Sequence, residues 1–236
     1  MTTINQWLRA VTDTVLPRLC SVCGEALAVD ERWLCRHCMS QLPRTHYHEV
    51  DFNPVEQLFA GKVPVERATG YFFYEKGSPY AQILKNIKYG HMPRMATYLA
   101  AQAAREMTAS GFFDSVVAIV PVPLHSTKLA QRGYNQSEFI AQGLSQATGL
   151  PVVKALKAVH AHDTQTRKGA LERYQNTQGV YAVTRRSAAL TGGATLIVDD
   201  VVTTGSTLAS CAQQLRQSLG EVPVSIFTLA VARMSQ

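Results

Sequence analysis

Two adjacent carboxylates and a run of hydroxyl residues define the chemistry that this sequence could perform. Asp199 and Asp200 stand near the end of an aliphatic, β-branched run over residues 195–202. Such a run is typical of a strand buried on both faces, which tolerates charge poorly. A Thr-Thr-Gly-Ser-Thr turn follows directly, and a helical pattern over residues 206–219 begins there. The unit therefore consists of a strand, an acidic pair, a loop and a helix start.

The loop suits an anion, and the acidic pair suits a sugar. A loop that leads into a helix offers unpaired backbone N–H groups and the positive end of the helix dipole. Ionised carboxylates accept hydrogen bonds from ribose hydroxyls and help to hold Mg²⁺. An ordinary strand–turn–helix, capped by Ser206 or Thr207, is the alternative. We predict a site for a phosphorylated ribose, with Asp199 and Asp200 as its carboxylates. Its phosphate loop is formed by Val202, Thr203, Thr204, Gly205, Ser206 and Thr207.

A second polar segment follows another apolar run, at residues 115–122. Leu124 and His125 come directly after it, and Lys128 and Arg132 precede a helical pattern that ends near residue 147. Ligands of open α/β sheets bind at the carboxyl ends of the strands. We therefore expect this basic strand end to meet the acidic one, with Lys128 and Arg132 contacting a pyrophosphate. The alternative for these two is a solvated helix start, and His125 is either a neutral donor or a satisfied loop residue.

Four of the five cysteines form two C-x-x-C pairs, Cys20/Cys23 and Cys35/Cys38, separated by 11 residues. Four thiolates can hold one tetrahedral Zn²⁺ and leave no open position, so we predict a structural zinc site. A redox-active pair is the alternative. Cys211 is expected to be buried in the helix after the phosphate loop. The nearby histidines are expected to be exposed and unneeded as ligands: His37, His46 and His48.

The chain has 236 residues, of which 46% are hydrophobic, and a formal net charge of +6. This length favours one main domain with a small appendage. Residues 118–190, the basic belt, hold nine Lys/Arg and three acidic residues and so account for the whole positive excess. Such a belt attracts either a pyrophosphate-bearing molecule or nucleic acid. No apolar run reaches the ~18 residues of a membrane span, and no signal peptide pattern opens the chain, so we expect a cytoplasmic protein.

The order of apolar patterns predicts an α/β fold whose mostly parallel sheet is covered by helices on both faces. Strands are predicted at residues 68–74, 115–122, 152–159, 180–183, 195–202 and 222–231, with helices at 79–89, 95–107 and 206–219. A basic, polar segment at residues 160–179 is predicted to be a mobile lid. The predicted organisation is an amphipathic helix (4–16) and zinc ribbon within residues 1–43, a linker at 44–66, and a main domain at 67–236 whose cap region covers about 67–110.

Several motifs occur in a fixed order after the two C-x-x-C pairs: L-K-N-I-K-Y-G, P-V-P-L-H, R-G-Y-N-Q-S, Q-T-x-K and V-D-D-V-V-T-T-G-S-T. The last is similar to the phosphoribosyl-pyrophosphate (PRPP) motif of type I phosphoribosyltransferases. Together they resemble the ComF family of competence-associated, type I phosphoribosyltransferase-like proteins over about residues 14–232. The resemblance implies a type I phosphoribosyltransferase fold, an N-terminal zinc ribbon and a role in bacterial DNA uptake and processing.

The resemblance also implies roles for single residues. Asp199 and Asp200 would bind the ribose of Mg²⁺-PRPP, residues 203–207 its 5′-phosphate, and Leu124 and His125 would belong to a pyrophosphate loop. The cap region shows no pattern assignable to a purine or pyrimidine, so the acceptor of a transfer is open. The flexible loop of the family would correspond to Thr164, Gln165, Thr166 and Lys168.

Two functions of different class are compatible with these features. The first is a PRPP-dependent transferase in which an acceptor displaces pyrophosphate from C1′ with no protein nucleophile, or a protein that only binds PRPP. The second is a non-catalytic competence factor whose zinc ribbon and basic belt bind single-stranded DNA or a helicase. Base stacking would favour aromatic residues between the basic residues of the belt. The belt holds few of them: Tyr134, Phe139, Tyr174 and Tyr181.

Overall fold

The computed structural model describes residues 17–159 and 180–233. Its central feature is a sheet of four strands that are all parallel. The strands of the described residues are β1 (Ala68–Tyr74), β2 (Val116–Pro121), β3 (Leu156–Ala158), β4 (Tyr181–Val183), β5 (Ala194–Val202) and β6 (Val224–Ala232). The main sheet has the order β1-β6-β5-β2, and β3 and β4 form a separate antiparallel pair.

Helices connect the parallel strands. The α-helices of the described residues are α1 (Arg36–Ser40), α2 (Pro54–Gln57), α3 (Ala81–Tyr89), α4 (Pro93–Thr108), α5 (Ser126–Arg132), α6 (Gln136–Thr148) and α7 (Ser206–Leu219). Two 3₁₀ turns, Tyr47–Glu49 and Arg185–Ala189, complete the helical elements. None of the helices in the described ranges combines the length and apolar character needed to cross a membrane.

The sheet is covered on both faces, as the alternation of side chains along β5 shows. Leu196 and Val198 belong to one apolar core, which they share with α3, α4 and α6. Ile197 points to the opposite core, which contains side chains from α7 and from the region of α2. Because successive side chains of a strand point to opposite faces, each core receives every second residue. The prediction of an α/β fold with a parallel sheet between two helical layers is confirmed.

The cysteine-rich N-terminal segment packs on one of these layers. Leu34 and Leu42 are buried in the same core as the side chains of α3, α4 and α6. Arg44 adds a paired contact, because its guanidinium donates to both carboxylate oxygens of Glu106 on α4 at 2.7 and 3.0 Å. Tyr71 on β1 donates to the same carboxylate at 2.8 Å. The segment is therefore tied to the main sheet through α4.

The segment predicted as a linker, residues 44–66, carries structure of its own. It contains a 3₁₀ turn and α2, and Val55 and Phe59 are fully buried in the core beside α7. Asn53 begins α2 by accepting hydrogen bonds from two backbone N–H groups of its first turn. The domain limits at residues 43/44 and 66/67 remain predictions.

Three local expectations differ from the structure. The run predicted as one strand at 152–159 is divided: Val152 makes a parallel bridge to Ile119 of β2, and the chain then leaves the main sheet to form β3. The strand placed in the predicted cap, β1, pairs with β6 inside the main sheet, and α4 lies on a face of that sheet. His48, expected to be exposed, is buried, and burial lowers its pKa; His37 and His46 are exposed as expected.

The remaining expectations either agree with the structure or concern residues outside the described ranges. Cys211 is fully buried in α7, as predicted. The helix expected at residues 4–16 lies outside the described residues. So do the flexible-loop residues Thr164, Gln165, Thr166 and Lys168, together with the rest of the lid predicted at 160–179.

Candidate functional site

The acidic pair lies near the carboxyl end of β5. Two further residues, Val201 and Val202, follow it before the strand ends and the loop begins. Ser137, at the start of α6, donates from its hydroxyl to Asp199 Oδ1 at 2.9 Å. The backbone N–H of Asp200 donates to the same oxygen at 2.9 Å. Lys88 of α3 places its Nζ 3.0 Å from Asp200 Oδ2. The two carboxylates therefore have different partners, a hydroxyl for one and an ammonium group for the other.

Burial sets the charge state of Asp199. Removal from water raises the pKa of this carboxyl to about 7, and the neighbouring charge of Asp200 acts in the same direction. The hydrogen bonds from the Asp200 N–H and from Ser137, and the positive charge of Lys88, oppose the rise. A carboxyl with this pKa exchanges its proton near neutral pH and responds to a ligand that brings hydroxyl donors or a cation.

The hydroxyl-rich turn forms a small cavity at the amino end of α7. The cavity has a volume of about 40 Å³ and is lined by Asp199 and by residues 201–208, which include every predicted phosphate-loop residue. Gly205 adopts φ +73° and occupies the cap position of α7 without a side-chain hydrogen bond to the helix. Neither Ser206 nor Thr207 is therefore the cap that the alternative interpretation required. The hydroxyls of Thr204 and Ser206 are 2.9 Å apart.

The turn is supported from outside by the segment after α2. Lys62 donates from Nζ to the carbonyl oxygen of Thr204 at 2.9 Å. The ring of Phe59 packs against Gly205 so closely that a Cβ at this position would lie 3.1 Å from the ring. Glycine is thus required at position 205 by its positive φ and by the close packing.

A larger cavity joins the two strand ends. It has a volume of about 290 Å³ and is lined by Asp199 and Thr207 from one strand end and by Leu124, His125 and Lys128 from the other. The predicted meeting of the acidic and basic segments therefore occurs in the structure. The two cavities share Asp199 and Thr207, so the phosphate loop and the larger cavity adjoin.

Two of the predicted basic-segment residues have contacts of their own. His125 caps α5: its Nδ1 accepts from the Thr127 N–H at 3.3 Å and lies 2.8 Å from the Thr127 hydroxyl. His125 also lines the larger cavity. It therefore belongs to the site, and its Nδ1 is already hydrogen-bonded within α5. Arg132 is not among the residues that line this cavity; its guanidinium lies over the ring of Tyr89 at 5.4 Å and bonds to Gln136.

Sequence reasoning missed several residues at the site. Lys88 and Ser137 contact the acidic pair, and Tyr181 lines the larger cavity. Lys88 and Ser137 stand in the motifs L-K-N-I-K-Y-G and R-G-Y-N-Q-S, which supported the resemblance without receiving a role. Lys62 has no such signal, because it reaches the loop from a segment 142 residues earlier.

The four predicted metal ligands form one cluster. The sulfurs of Cys20, Cys23, Cys35 and Cys38 all lie within 4.8 Å of one another, and the Cys23 and Cys35 sulfurs are 3.8 Å apart. Four sulfurs around Zn²⁺ at about 2.3 Å would be separated by about 3.8 Å, so the cluster fits a tetrahedral thiolate site. Burial opposes ionisation of Cys20, but N–H groups of Cys23, Cys35 and Val22 outweigh it and lower its pKa to about 7.

Curated relatives place this arrangement in a family. The DNA utilization protein YhgH of Escherichia coli (strain K12) is 30% identical to this chain over 218 residues, which cover 89% of each protein. Competence protein F of Haemophilus influenzae is 27% identical over 221 residues, 91% of this chain and 90% of that protein. The chain belongs to the ComF family. Competence protein ComFC of Bacillus subtilis is 28% identical to this ComF-family protein over 116 residues, 49% of this chain and 45% of that one. No family model matches the chain.

Two solved structures align with part of this ComF-family protein. One is described as the allosteric regulatory enzyme of purine biosynthesis; it is 21% identical, with a TM-score of 0.37 over 58% of this chain and 25% of that chain. The other is glutamine PRPP amidotransferase from B. subtilis, complexed with ADP and GMP. It is 21% identical, with a TM-score of 0.36 over 58% of this chain and 26% of that chain. The chain thus spans about a quarter of the length of these two proteins.

Proposed function

We propose that this ComF-family protein binds Mg²⁺-PRPP at the acidic pair and phosphate loop, and that it acts in the uptake and processing of DNA. One observation carries the ligand assignment: a single cavity brings Asp199 and Thr207 together with Leu124, His125 and Lys128. The Asp199 carboxylate, the Thr207 hydroxyl of the loop and the Lys128 ammonium group are of the kinds that a phosphorylated, pyrophosphate-bearing ribose requires. Asp200 lines neither this cavity nor the smaller one, so its contact with a ligand requires the Lys88 ion pair to open. The role in DNA uptake rests on the names of the curated relatives.

Each part of the ligand has a counterpart. Asp199 and Asp200 accept hydrogen bonds from the ribose hydroxyls and, with Mg²⁺, share the charge of the site. The uncapped amino end of α7 and the hydroxyls of residues 203–207 receive the 5′-phosphate. Lys128 faces the pyrophosphate from the other strand end, with the segment of Leu124 and His125 beside it. Arg132 reaches the pyrophosphate only if it leaves the ring of Tyr89.

The reaction that fits this arrangement is the displacement of pyrophosphate from C1′ by an acceptor. The reaction requires no nucleophile from the protein, because the acceptor attacks C1′ directly. Mg²⁺ would neutralise the departing pyrophosphate, and the carboxylates would stabilise the positive charge that develops on the sugar. The acceptor is not part of the proposal.

Titration calorimetry with Mg²⁺-PRPP tests the ligand assignment. The wild-type protein should bind, and Asp199→Asn and Asp200→Asn should each weaken binding at least about tenfold, because a hydrogen bond to a charged group contributes roughly 1.5–3 kcal/mol. Asp51→Asn removes an exposed carboxylate elsewhere and is the matched control. Equal heats for the wild type and all three variants would refute a ribose site at the acidic pair.

We also propose that the four-cysteine cluster holds a structural Zn²⁺ and that the protein works in the cytoplasm. The sulfur spacing supports the first part. The second rests on the two C-x-x-C pairs, since a reducing compartment keeps such thiols available to a metal. Metal analysis of protein purified without added zinc tests the site: about one zinc per chain is expected, and Cys211→Ser should retain it whereas Cys35→Ser should not.

A further inference from the structure

A large cavity of the described residues lies away from the acidic pair, between the four-cysteine segment and helices α4 and α6. Its volume is about 1220 Å³. We call it the arginine cleft and define it by six of its lining residues: Arg32, Trp33, Arg94, Tyr98, Arg105 and Phe139. None of these six lines the cavity at the acidic pair.

The walls of the cleft follow from helix periodicity. Arg94, Tyr98 and Arg105 recur at intervals of four and seven residues, which places them in one row along α4. At a rise of about 1.5 Å per residue this row is about 16 Å long. Phe139 lies on the facing helix α6, and Arg32 and Trp33 belong to the hairpin between the two C-x-x-C pairs. The wall formed by Arg32 and Trp33 therefore exists only because the cysteine segment packs beside α4.

A close helix crossing makes the cleft continuous. Gly143 of α6 approaches the backbone of α4 so tightly that a Cβ there would lie 2.2 Å from the carbonyl oxygen of Thr97. The Thr97 hydroxyl also donates to the carbonyl oxygen of Phe139 at 2.9 Å. Because the helices are held this close, the rows of α4 and α6 line one groove.

The charge of the cleft has one sign. Four arginines line it, and none of its described lining residues is acidic. Within residues 17–159 and 180–233, Arg32 and Arg94 form no hydrogen bond or ion pair, and both are exposed. Arg105 donates to the side chain of Gln102 at 3.1 Å. The guanidinium groups of Arg32, Arg94 and Arg105 have no carboxylate among the described lining residues, so they form a positive groove, which attracts phosphate groups.

Aromatic rings stand between these charges. Trp33, Tyr98 and Phe139 are half-buried, so each is supported by the core on one side and reaches the cleft on the other. Rings interleaved with arginines are the arrangement that binds single-stranded nucleic acid: the bases stack on the rings, and the phosphates contact the arginines. In a duplex the bases are already stacked on one another and do not reach such rings.

We propose that the arginine cleft is a binding site for single-stranded nucleic acid. The basic belt of residues 118–190 is a different surface, and among its described members Lys154 pairs with Glu138 at 2.6 Å. The cleft brings aromatic and basic side chains together from segments that are far apart in the sequence. The inference does not depend on the PRPP site, because the two cavities share no lining residue.

Fluorescence anisotropy of a labelled 20-nucleotide oligo-dT, titrated with the full chain, tests the proposal. Arg94→Ala/Arg105→Ala should weaken binding and make the slope of log affinity against log salt concentration smaller by about 1.4, since each phosphate contact contributes about 0.7 for a single strand. Tyr98→Ala should weaken binding at least about fivefold through lost stacking. Trp33→Phe, which keeps a ring, should bind nearly as the wild type does, and Trp33→Ala should not.

Matched controls separate the cleft from general positive charge. Arg185→Ala/Arg186→Ala removes two exposed arginines of the basic belt and should leave affinity and salt slope within twofold of the wild type. A 20-base-pair duplex should bind at least about tenfold more weakly than the single strand. Thermal unfolding shows whether each variant is folded. If Trp33→Ala is not folded, Arg94→Glu tests the cleft in its place, because Arg94 is exposed and lies outside the core.

Three results would overturn the proposal. The first is wild-type affinity in the folded Arg94, Arg105 and Tyr98 variants. The second is equal affinity for the duplex and the single strand. The third is the absence of measurable binding by the wild-type protein, which would leave the cleft to a protein partner. None of these results bears on Mg²⁺-PRPP titration, so failure here and failure of the PRPP site remain distinguishable.

Discussion

Lys88 is the residue whose position explains how Asp200 can be buried. The Asp200 side chain is 4% exposed and that of Lys88 22%, and their charged atoms are 3.0 Å apart. A buried carboxylate without a counter-charge is costly, so α3 supplies an ammonium group at the end of β5. The same contact means that a ligand of Asp200 must share that carboxylate with Lys88 or replace it.

We predict that Lys88→Met destabilises the protein by about 3 kcal/mol, because it leaves a buried carboxylate unpaired. Lys85→Met, on the same helix at an exposed position, should change the free energy of unfolding by less than about 0.5 kcal/mol. Urea unfolding followed by circular dichroism measures both. Similar stabilities for the two variants would show that the ion pair has no net role in folding.

Asp199 should make stability depend on pH. Its pKa is about 7 in the folded protein, against an ordinary value of 3.8 for an aspartate, so between these values the folded state retains a proton that the unfolded state has lost. The contribution of this group is therefore favourable below about pH 4 and is lost as the pH rises towards 7. Asp199→Asn removes the titration and keeps an oxygen for the Ser137 hydroxyl.

We accordingly expect Asp199→Asn to gain stability relative to the wild type as the pH rises from 4 to 8, by on the order of 1–4 kcal/mol. Urea midpoints at pH 4, 6 and 8 measure the difference. Asp51→Asn, an exposed control, should give a difference that does not vary with pH. A constant difference for Asp199→Asn as well would contradict a raised pKa.

Among the elements, the crossing of α4 and α6 depends on one small residue. A Cβ at Gly143 would meet the Thr97 carbonyl oxygen at 2.2 Å and the Ala100 Cβ at 2.9 Å. A backbone carbonyl in a helix cannot move away as the end of a long side chain can. The helices would have to separate, which changes the core and the arginine cleft together.

Gly143→Ala should therefore destabilise the protein by about 1–3 kcal/mol through overpacking, in spite of the better helix propensity of alanine. Gln142→Ala, on the exposed side of α6, isolates the propensity effect and should be neutral or slightly stabilising. Chemical unfolding of both variants decides between the two effects. A stabilised Gly143→Ala would mean that the crossing is looser than these distances indicate.

For the whole molecule, the cysteine segment and the sheet form one apolar core. Leu34, Cys38 and Leu42 are buried with Leu99 of α4 and Phe227 of β6. Loss of a metal from the four-cysteine cluster should therefore weaken the packing of α4 and, through it, the main sheet.

We predict that a zinc chelator, or Cys35→Ser, lowers the unfolding temperature of the entire chain by on the order of 10 °C in a single transition. Calorimetry measures the transition, and Cys211→Ser, which lies outside the cluster, should lose no metal. Two separate transitions, with the larger one unmoved by the chelator, would show that the segment folds independently of the sheet.

The elements whose signals are local could be predicted from the amino-acid sequence. β1 and β5 were predicted within one residue of their observed bounds, because buried parallel strands are continuous apolar runs with clear breaks. The four-cysteine cluster and the turn at Gly205 were also visible, since thiol spacing and a glycine in a tight turn follow from short-range chemistry. The meeting of the two strand ends followed from a general rule for parallel sheets.

The residues that surround these features could be identified only from the folded chain. Lys62, Lys88 and Ser137 reach the site from other segments, and no local pattern marks such contacts. The division of the run at 152–159 and the burial of Val55 in a predicted linker depend on neighbours that are distant in the chain. The arginine cleft is the clearest case, because three segments supply its walls and its size depends on how closely two helices approach. Side-chain packing between distant segments, which sequence periodicity does not encode, decides all of these.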